Sequence, residues 1–236
     1  MSFIDNVEIP RKTMVLFFVV DTSGSMYGDK IGALNDAIRE TVPDLKELSE
    51  NNADAKIKIA TLQFDTHIQW LTSEPIDSEN FVWNDLEAGG LTSLGAALYE
   101  LKDKLSTKKF MKEAVGSFAP VIILLSDGAP TDDYKTALNE IKRNNWFKHA
   151  IKVAIAIGND ADKNVLAEVV GSPEAVIDVH GKEALKKLIR FVSVTSSQVN
   201  SKSSGVDDTT KSEKVIDQIK EFVDTENIND IGDDEW

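Results

Sequence analysis

Residues 14–20 read MVLFFVV, apolar at every position. A strand that faces water on one side alternates apolar and polar residues. A run with no alternation, rich in aromatic and β-branched types, marks a strand covered on both faces. Such a strand cannot stand alone: it needs neighbours in a sheet and a layer of packing on each side. Residues 121–125, VIILL, repeat the pattern. Residues 56–64, KIKIATLQF, alternate, and residues 151–157, IKVAIAI, mix the two patterns. A weaker strand is expected at 175–179. Another, at 67–71, follows residues 56–64 across the short break Asp65–Thr66, a spacing that predicts a hairpin and one antiparallel edge strand.

Helical spacing fills the intervals. Ile31, Leu34, Ile38, Leu45 and Leu48 fall on one helical face, as do Leu94, Ala97, Leu98, Leu101 and Leu105. Shorter patterns follow around Ala137, Leu138 and Ile141, then Val165, Leu166 and Val169, then Leu185, Leu188, Ile189 and Val192. Strands alternating with helices imply an α/β doubly wound fold, with a mainly parallel central sheet, one antiparallel edge strand and helices on both faces. Ligands of such folds sit beyond the carboxyl ends of the strands, where the strand order reverses. The residues just after Val20, just after Leu125 and near the helix starting at about Leu94 are therefore the expected functional edge.

Composition narrows the function classes. The formal net charge of −14 repels phosphate backbones, so nucleic-acid binding is not expected. With no cysteine there are no disulfides and no thiolate metal sites, and His67, His149 and His180 are too scattered to suggest a zinc motif. Residues 1–13 include Asp5, Glu8, Pro10, Arg11 and Lys12 and do not read as a secretory signal. No run is long and apolar enough to span a bilayer, so no membrane association is expected. The expected location is the cytoplasm. Composition shifts near Gln198, dividing the chain into a domain at 1–199 and an acidic, flexible tail at 200–236. That tail holds 4 lysines against 11 acidic residues and a short amphipathic pattern at Val215, Ile216, Ile219, Phe222 and Val223. The tail reads as a solubilising segment, or as a docking segment for a basic partner with Trp236 as anchor.

Three clusters place oxygen donors at this edge. Asp21, Ser23 and Ser25 alternate along the turn after the first strand. Thr92 and Ser93 follow Gly89 and Gly90 at a helix start. Residues 126–133, SDGAPTDD, follow the strand at 121–125. Each cluster has an ordinary structural reading, since Ser, Thr and Asp are favoured helix caps, and Asp132 and Asp133 read as the start of their own helix. Asp65 and Thr66 read as turn residues, and Trp70, Trp83 and Trp146 as packing residues. Together, carboxylates and hydroxyls are the donor set that a hard divalent cation prefers.

In this combination, Asp21-x-Ser23-x-Ser25 with Thr92 and Asp127, the chain resembles the metal-ion-dependent adhesion site (MIDAS) of von Willebrand factor A domains, over roughly residues 14–197. The resemblance implies Ser23, Ser25 and Thr92 as hydroxyl ligands and Asp21 and Asp127 as carboxylates acting largely through water. The implied cation is magnesium, with manganese or calcium as alternatives. It also implies a protein partner whose Glu or Asp completes the coordination. Residues 89–98, GGLTSLGAAL, and 126–133 are similar to the short bacterial A-domain proteins of tellurium-resistance loci, the TerY-like group. That group is associated with a serine/threonine kinase and a protein phosphatase, and with stress-response and phage-defence systems. Leu91 departs from that pattern, which has a third glycine there. This chain also lacks the cysteine-rich extension of some relatives. Tyr27 and Gly28 are candidates for a rim around the site.

Enzyme motifs are absent. Residues 24–30 do not fit a phosphate loop, no G-x-G-x-x-G follows the first strand, and there is no G-x-S-x-G. Ser23 stands where an aspartyl phosphatase would need its second carboxylate. The expected function is a metal-dependent interaction module and not an enzyme. The alternatives are a metal-dependent phosphate-ester hydrolase and a scaffold stiffened by its cation.

Overall fold

The run at 14–20 forms the interior of β1 (Lys12–Asp21), in which Met14 to Asp21 are all buried. The computed structural model describes residues 10–113, 116–127, 129–201 and 208–228. Asp5, Glu8, Gly128, and the terminal Asp233, Glu235 and Trp236 lie outside these. β1 pairs in parallel with β2 (Ala55–Phe64) on one side and β5 (Val121–Ser126) on the other. Beyond β5 the parallel order continues through β6 (Ile151–Ile157) to β7 (Val176–Val179). The hairpin expected after β2 forms as β3 (Ile68–Trp70), antiparallel to β2. A two-residue strand that the sequence did not suggest, β4 (Ile76–Asp77), pairs antiparallel with β2 at Lys58 and Ile59. The antiparallel edge of the sheet is thus made in two pieces along one side of β2.

Both faces of the sheet are covered, which explains the absence of alternation in β1. Met14, Leu16, Phe18 and Val20 join one core with α1 (Asp29–Glu50) and α6 (Lys182–Asn200). Val15, Phe17 and Val19 join a second core with α2 (Leu94–Lys104), α3 (Tyr134–Ile141), the short α4 (Asn145–His149) and α5 (Lys163–Val170). Trp70 meets Phe17 and Phe110 edge-on or near it, at centroid distances of 6.1 and 4.9 Å. The buried Trp83 donates its indole N–H to Asn35. Both are packing residues, as expected.

The segment expected as an acidic tail at 200–236 contains the amphipathic pattern noted above, and that part is helical. Residues Asp208–Thr225 form helix α7, whose apolar stripe lies on the first core. Val215 and Ile219 are fully buried, and Phe222 stacks on Phe191 of α6 at 3.9 Å. The acidic residues Glu213, Asp217, Glu221 and Asp224 lie on the exposed face, while spacing of three and four residues keeps the apolar side chains together on the other. Over 208–225 the chain is therefore part of the folded body.

The strand order β3-β2-β1-β5-β6-β7 puts the switch point between β1 and β5. Asp21 is the last residue of β1, and Asp127 directly follows β5.

Candidate metal centre

The end of β1 runs into a tight 3-10 turn, Gly24–Met26, before α1 begins. Asp21 accepts the backbone N–H of Ser23 at 2.9 Å through one carboxylate oxygen and the hydroxyl of Ser126 at 2.6 Å through the other. Its carboxylate is thereby fixed in place across the β1–β5 pair. The hydroxyls of Ser23 and Ser25 lie 3.1 Å apart. Ser25 in turn donates to Asp127 Oδ1 at 2.7 Å. Asp21, Ser23 and Asp127 are buried, whereas Ser25 opens towards solvent.

Thr92 comes from a third loop, and backbone hydrogen bonds lace that loop to the first. Gly24 N donates to the carbonyl of Gly90 at 3.0 Å, and Gly89 N to that of Thr22 at 2.8 Å. The approach at Gly24 is close, for a Cβ there would meet the Gly90 carbonyl at 3.3 Å. Thr92 is buried, and its carbonyl accepts from Thr131 N at 2.8 Å, tying the loop to the segment after β5. Thr92 does not cap α2: the N-cap position is Ser93, whose side chain makes no capping bond. Asp132 supplies the cap from across the site, accepting the N–H groups of Gly95 and Ala96 at 2.9 Å each. Asp133 caps its own helix α3 through Thr136, as expected, whereas Asp132, expected at the same helix start, serves α2 instead.

Three residues outside the expected set shape the site. Asp65 accepts the Thr22 hydroxyl at 3.3 Å, and its carbonyl accepts from Ser93 N. Thr66 accepts from Leu91 N at 2.9 Å. Their position at a hairpin turn hid this role, because nothing local to the turn shows that the 89–93 loop docks there. Lys30, in the first turn of α1, places its ammonium 2.7 Å from Asp127 Oδ2 and 3.2 Å from Asp160. A helix-start lysine reads as a surface residue in sequence, yet its side chain is only 12% exposed.

The electrostatic consequence of burial falls on Asp21. Burial pushes Asp21 above the usual carboxylate range. The hydrogen bonds from Ser126 and Ser23 oppose this, and the nearby charge of Asp127 adds to it. For Lys30, burial disfavours the ammonium, but the bonds and charges of Asp127 and then Asp160 outweigh it and leave the group above its ordinary value.

The donors fit a small divalent ion. Magnesium binds oxygens at roughly 2.1 Å in an octahedron, so adjacent ligands stand about 3 Å apart, the separation of the two serine hydroxyls. Among the described residues no three or more histidine, cysteine, aspartate or glutamate side chains form a metal-binding group. The donor set here is instead two carboxylates supplemented by hydroxyls.

The model of the von Willebrand factor type A domain matches residues 16–191. The chain belongs to the von Willebrand factor type A family. Solved structures agree on the fold. The von Willebrand factor type A protein from Catenulispora acidiphila aligns with a TM-score of 0.58 at 16% identity, over 78% of this chain and 42% of its own. The ArnB paralog VWA2 from Sulfolobus acidocaldarius aligns with a TM-score of 0.55 at 17% identity, over 76% and 45%. Proximal thread matrix protein 1 from the mussel byssus aligns with a TM-score of 0.57 at 15% identity, over 78% and 48%, in a form described as having a zinc-occupied MIDAS motif. This A domain thus spans less than half the length of each of these chains. No curated protein matches the sequence. A domains are in general interaction modules rather than enzymes, and many carry a divalent-metal site.

Proposed function

We propose that this A domain binds one divalent cation, magnesium foremost, and uses it to capture an acidic side chain of a protein partner. The observation that carries this reading is the Ser23–Ser25 hydroxyl pair at octahedral-edge spacing, set beside two buried carboxylates at the switch point of the sheet. Ser23, Ser25 and Thr92 would hold the ion, with Asp21 and Asp127 behind them, directly or through water. The cation supplies Lewis acidity towards an external carboxylate. Neutral hydroxyls in the ring leave its charge largely unquenched.

The site's rim supports a protein ligand. Tyr27 is 78% exposed and Leu91 is 58% exposed, one on each of the two loops joined at Gly24 and Gly90. Exposed apolar side chains around a charged centre suit an acidic residue with apolar neighbours. The similarity of residues 89–98 and 126–133 to tellurium-resistance A domains supports a bacterial stress-response or phage-defence signalling complex in the cytoplasm. A serine/threonine kinase or a protein phosphatase would then be the partner.

The test is calorimetric titration of magnesium, manganese and calcium into wild type and Asp127→Ala, followed by partner capture with and without chelator. Wild type should bind one ion and the variant should not, and capture should fail in chelator. Ion binding with capture unaffected by chelator would leave only a stiffening role for the cation. Hydrolysis of a generic phosphate ester that disappears in Ser23→Ala would replace the interaction reading with a hydrolytic one.

A further inference from the structure

Asp127 is shared between two cationic demands. Its Oδ1 faces the Ser25 hydroxyl and hence the proposed ion, while its Oδ2 is held by the Lys30 ammonium at 2.7 Å. The lysine is confined to this position. A Cβ on Gly158 would lie 2.8 Å from its terminal atoms, and Gly158 itself has φ +91°. Only a glycine leaves room for the lysine there. The second partner, Asp160, has a side chain that is 72% exposed, so solvent screens most of its charge.

We propose that Lys30 is a built-in counter-cation that tunes the site, weakening its hold on the divalent ion and making an external carboxylate the group that completes its charge. This deepens the proposed function and rests on it. Asp21 and Asp127 together cancel a divalent ion, so a ring without Lys30 is neutral once loaded and gains nothing by charge from a further anion. With Lys30 the loaded ring carries one excess positive charge. An incoming Glu or Asp side chain cancels it. Lys30 therefore exchanges metal affinity for affinity towards an acidic partner. It acts through Asp127 as a positioning and charge-setting residue and does not itself contact the ion.

A merely structural lysine would not, on neutralisation, raise the affinity for magnesium. Magnesium is titrated by calorimetry into the full chain as wild type, Lys30→Met, Lys30→Gln and Lys30→Arg. Met preserves the packed aliphatic stem, and Gln keeps a hydrogen-bond donor for Asp127 while removing the charge. Both neutral variants should bind magnesium on the order of tenfold more tightly, since a unit charge a few ångströms from the ion is lost. Lys30→Arg, which keeps the charge, should stay near wild type. In chelator the neutral variants should melt lower than wild type, because the buried Asp127 loses its counter-charge, and magnesium should close that gap. Unchanged or weaker magnesium binding in Lys30→Gln, with wild type binding normally, would overturn this inference alone. Absence of magnesium binding in wild type and in both neutral variants would overturn the metal reading as well. Should Lys30→Met fail to fold, the comparison of Gln with Arg carries the same decision.

Discussion

Gly90 is the residue on which the loop around the candidate site turns. It has φ +80°, and a Cβ there would fall 2.5 Å from the Thr66 hydroxyl. Replacement by alanine should cost about 1–3 kcal/mol through backbone strain and displacement of Thr66, seen as a lower denaturation midpoint. It should also weaken magnesium binding, because the Gly90 carbonyl is the acceptor that holds Gly24. Leu91 next to it behaves differently. Among the described residues, Asn227 is the one non-glycine with positive φ, so the backbone at position 91 does not require a glycine. Asp132 offers a second test. Asp132→Ala strips the cap from α2 and should lower stability by about 1 kcal/mol, with the loss confined to the α2 amides in hydrogen exchange.

Among the elements, α7 and α4 carry the clearest consequences. Val215 and Ile219 of α7 are fully buried against the first core, so Ile219→Ala should cost about 2–4 kcal/mol. Removal of residues 208–236 should lower the melting temperature rather than leave it unchanged. Thermal denaturation checks both, and an unaltered midpoint would mean that the tail is independent of the domain. Near α4, Lys152 on β6 donates to the carbonyls of Phe147 and Ala150 at 3.0 Å each. Burial, with a smaller contribution from Lys142, pushes its ammonium from 10.5 down to about 8. Between those values the unfolded chain binds more protons at this lysine than the folded one, so stability rises with pH there. Wild type should therefore gain stability relative to Lys152→Met as pH climbs from about 8 towards 10, which chemical denaturation at several pH values measures.

At the scale of the molecule, the candidate site is where separate parts of the chain are fastened together. β1, β5, the start of α1 and the 89–93 loop meet there, joined by Ser126 to Asp21, Ser25 to Asp127 and Lys30 to Asp127. An ion bound among them should stabilise the native state by mass action. Magnesium at a hundredfold excess over its dissociation constant should contribute about 2.7 kcal/mol. Chelator should remove that increment in wild type and have no effect in Asp127→Ala, as followed by differential scanning calorimetry. The acidic net charge of −14 works in the same direction, since it raises the local concentration of cations around the protein.

Periodicity along the chain determined the architecture. Residues 14–20 and 121–125 specified strands buried on both faces because uninterrupted apolar runs have no other stable environment in a sheet. Regular spacing then placed the main helices and the β2–β3 hairpin. The triad Asp21, Ser23 and Ser25 stands out in the sequence as well, since its members are near neighbours in one turn. With Thr92 and Asp127 it pointed to a metal site through family resemblance. Tertiary structure alone decided what depends on distant partners. It set Lys30 on Asp127 across 97 positions, Asp132 on the amides of α2, and Thr66 beneath the 89–93 loop. It also decided that α7 docks, because an amphipathic pattern states which face will be buried but not what surface will bury it. Local patterns report how the backbone satisfies itself, whereas ion pairs and caps between loops follow from where the sheet brings its strand ends.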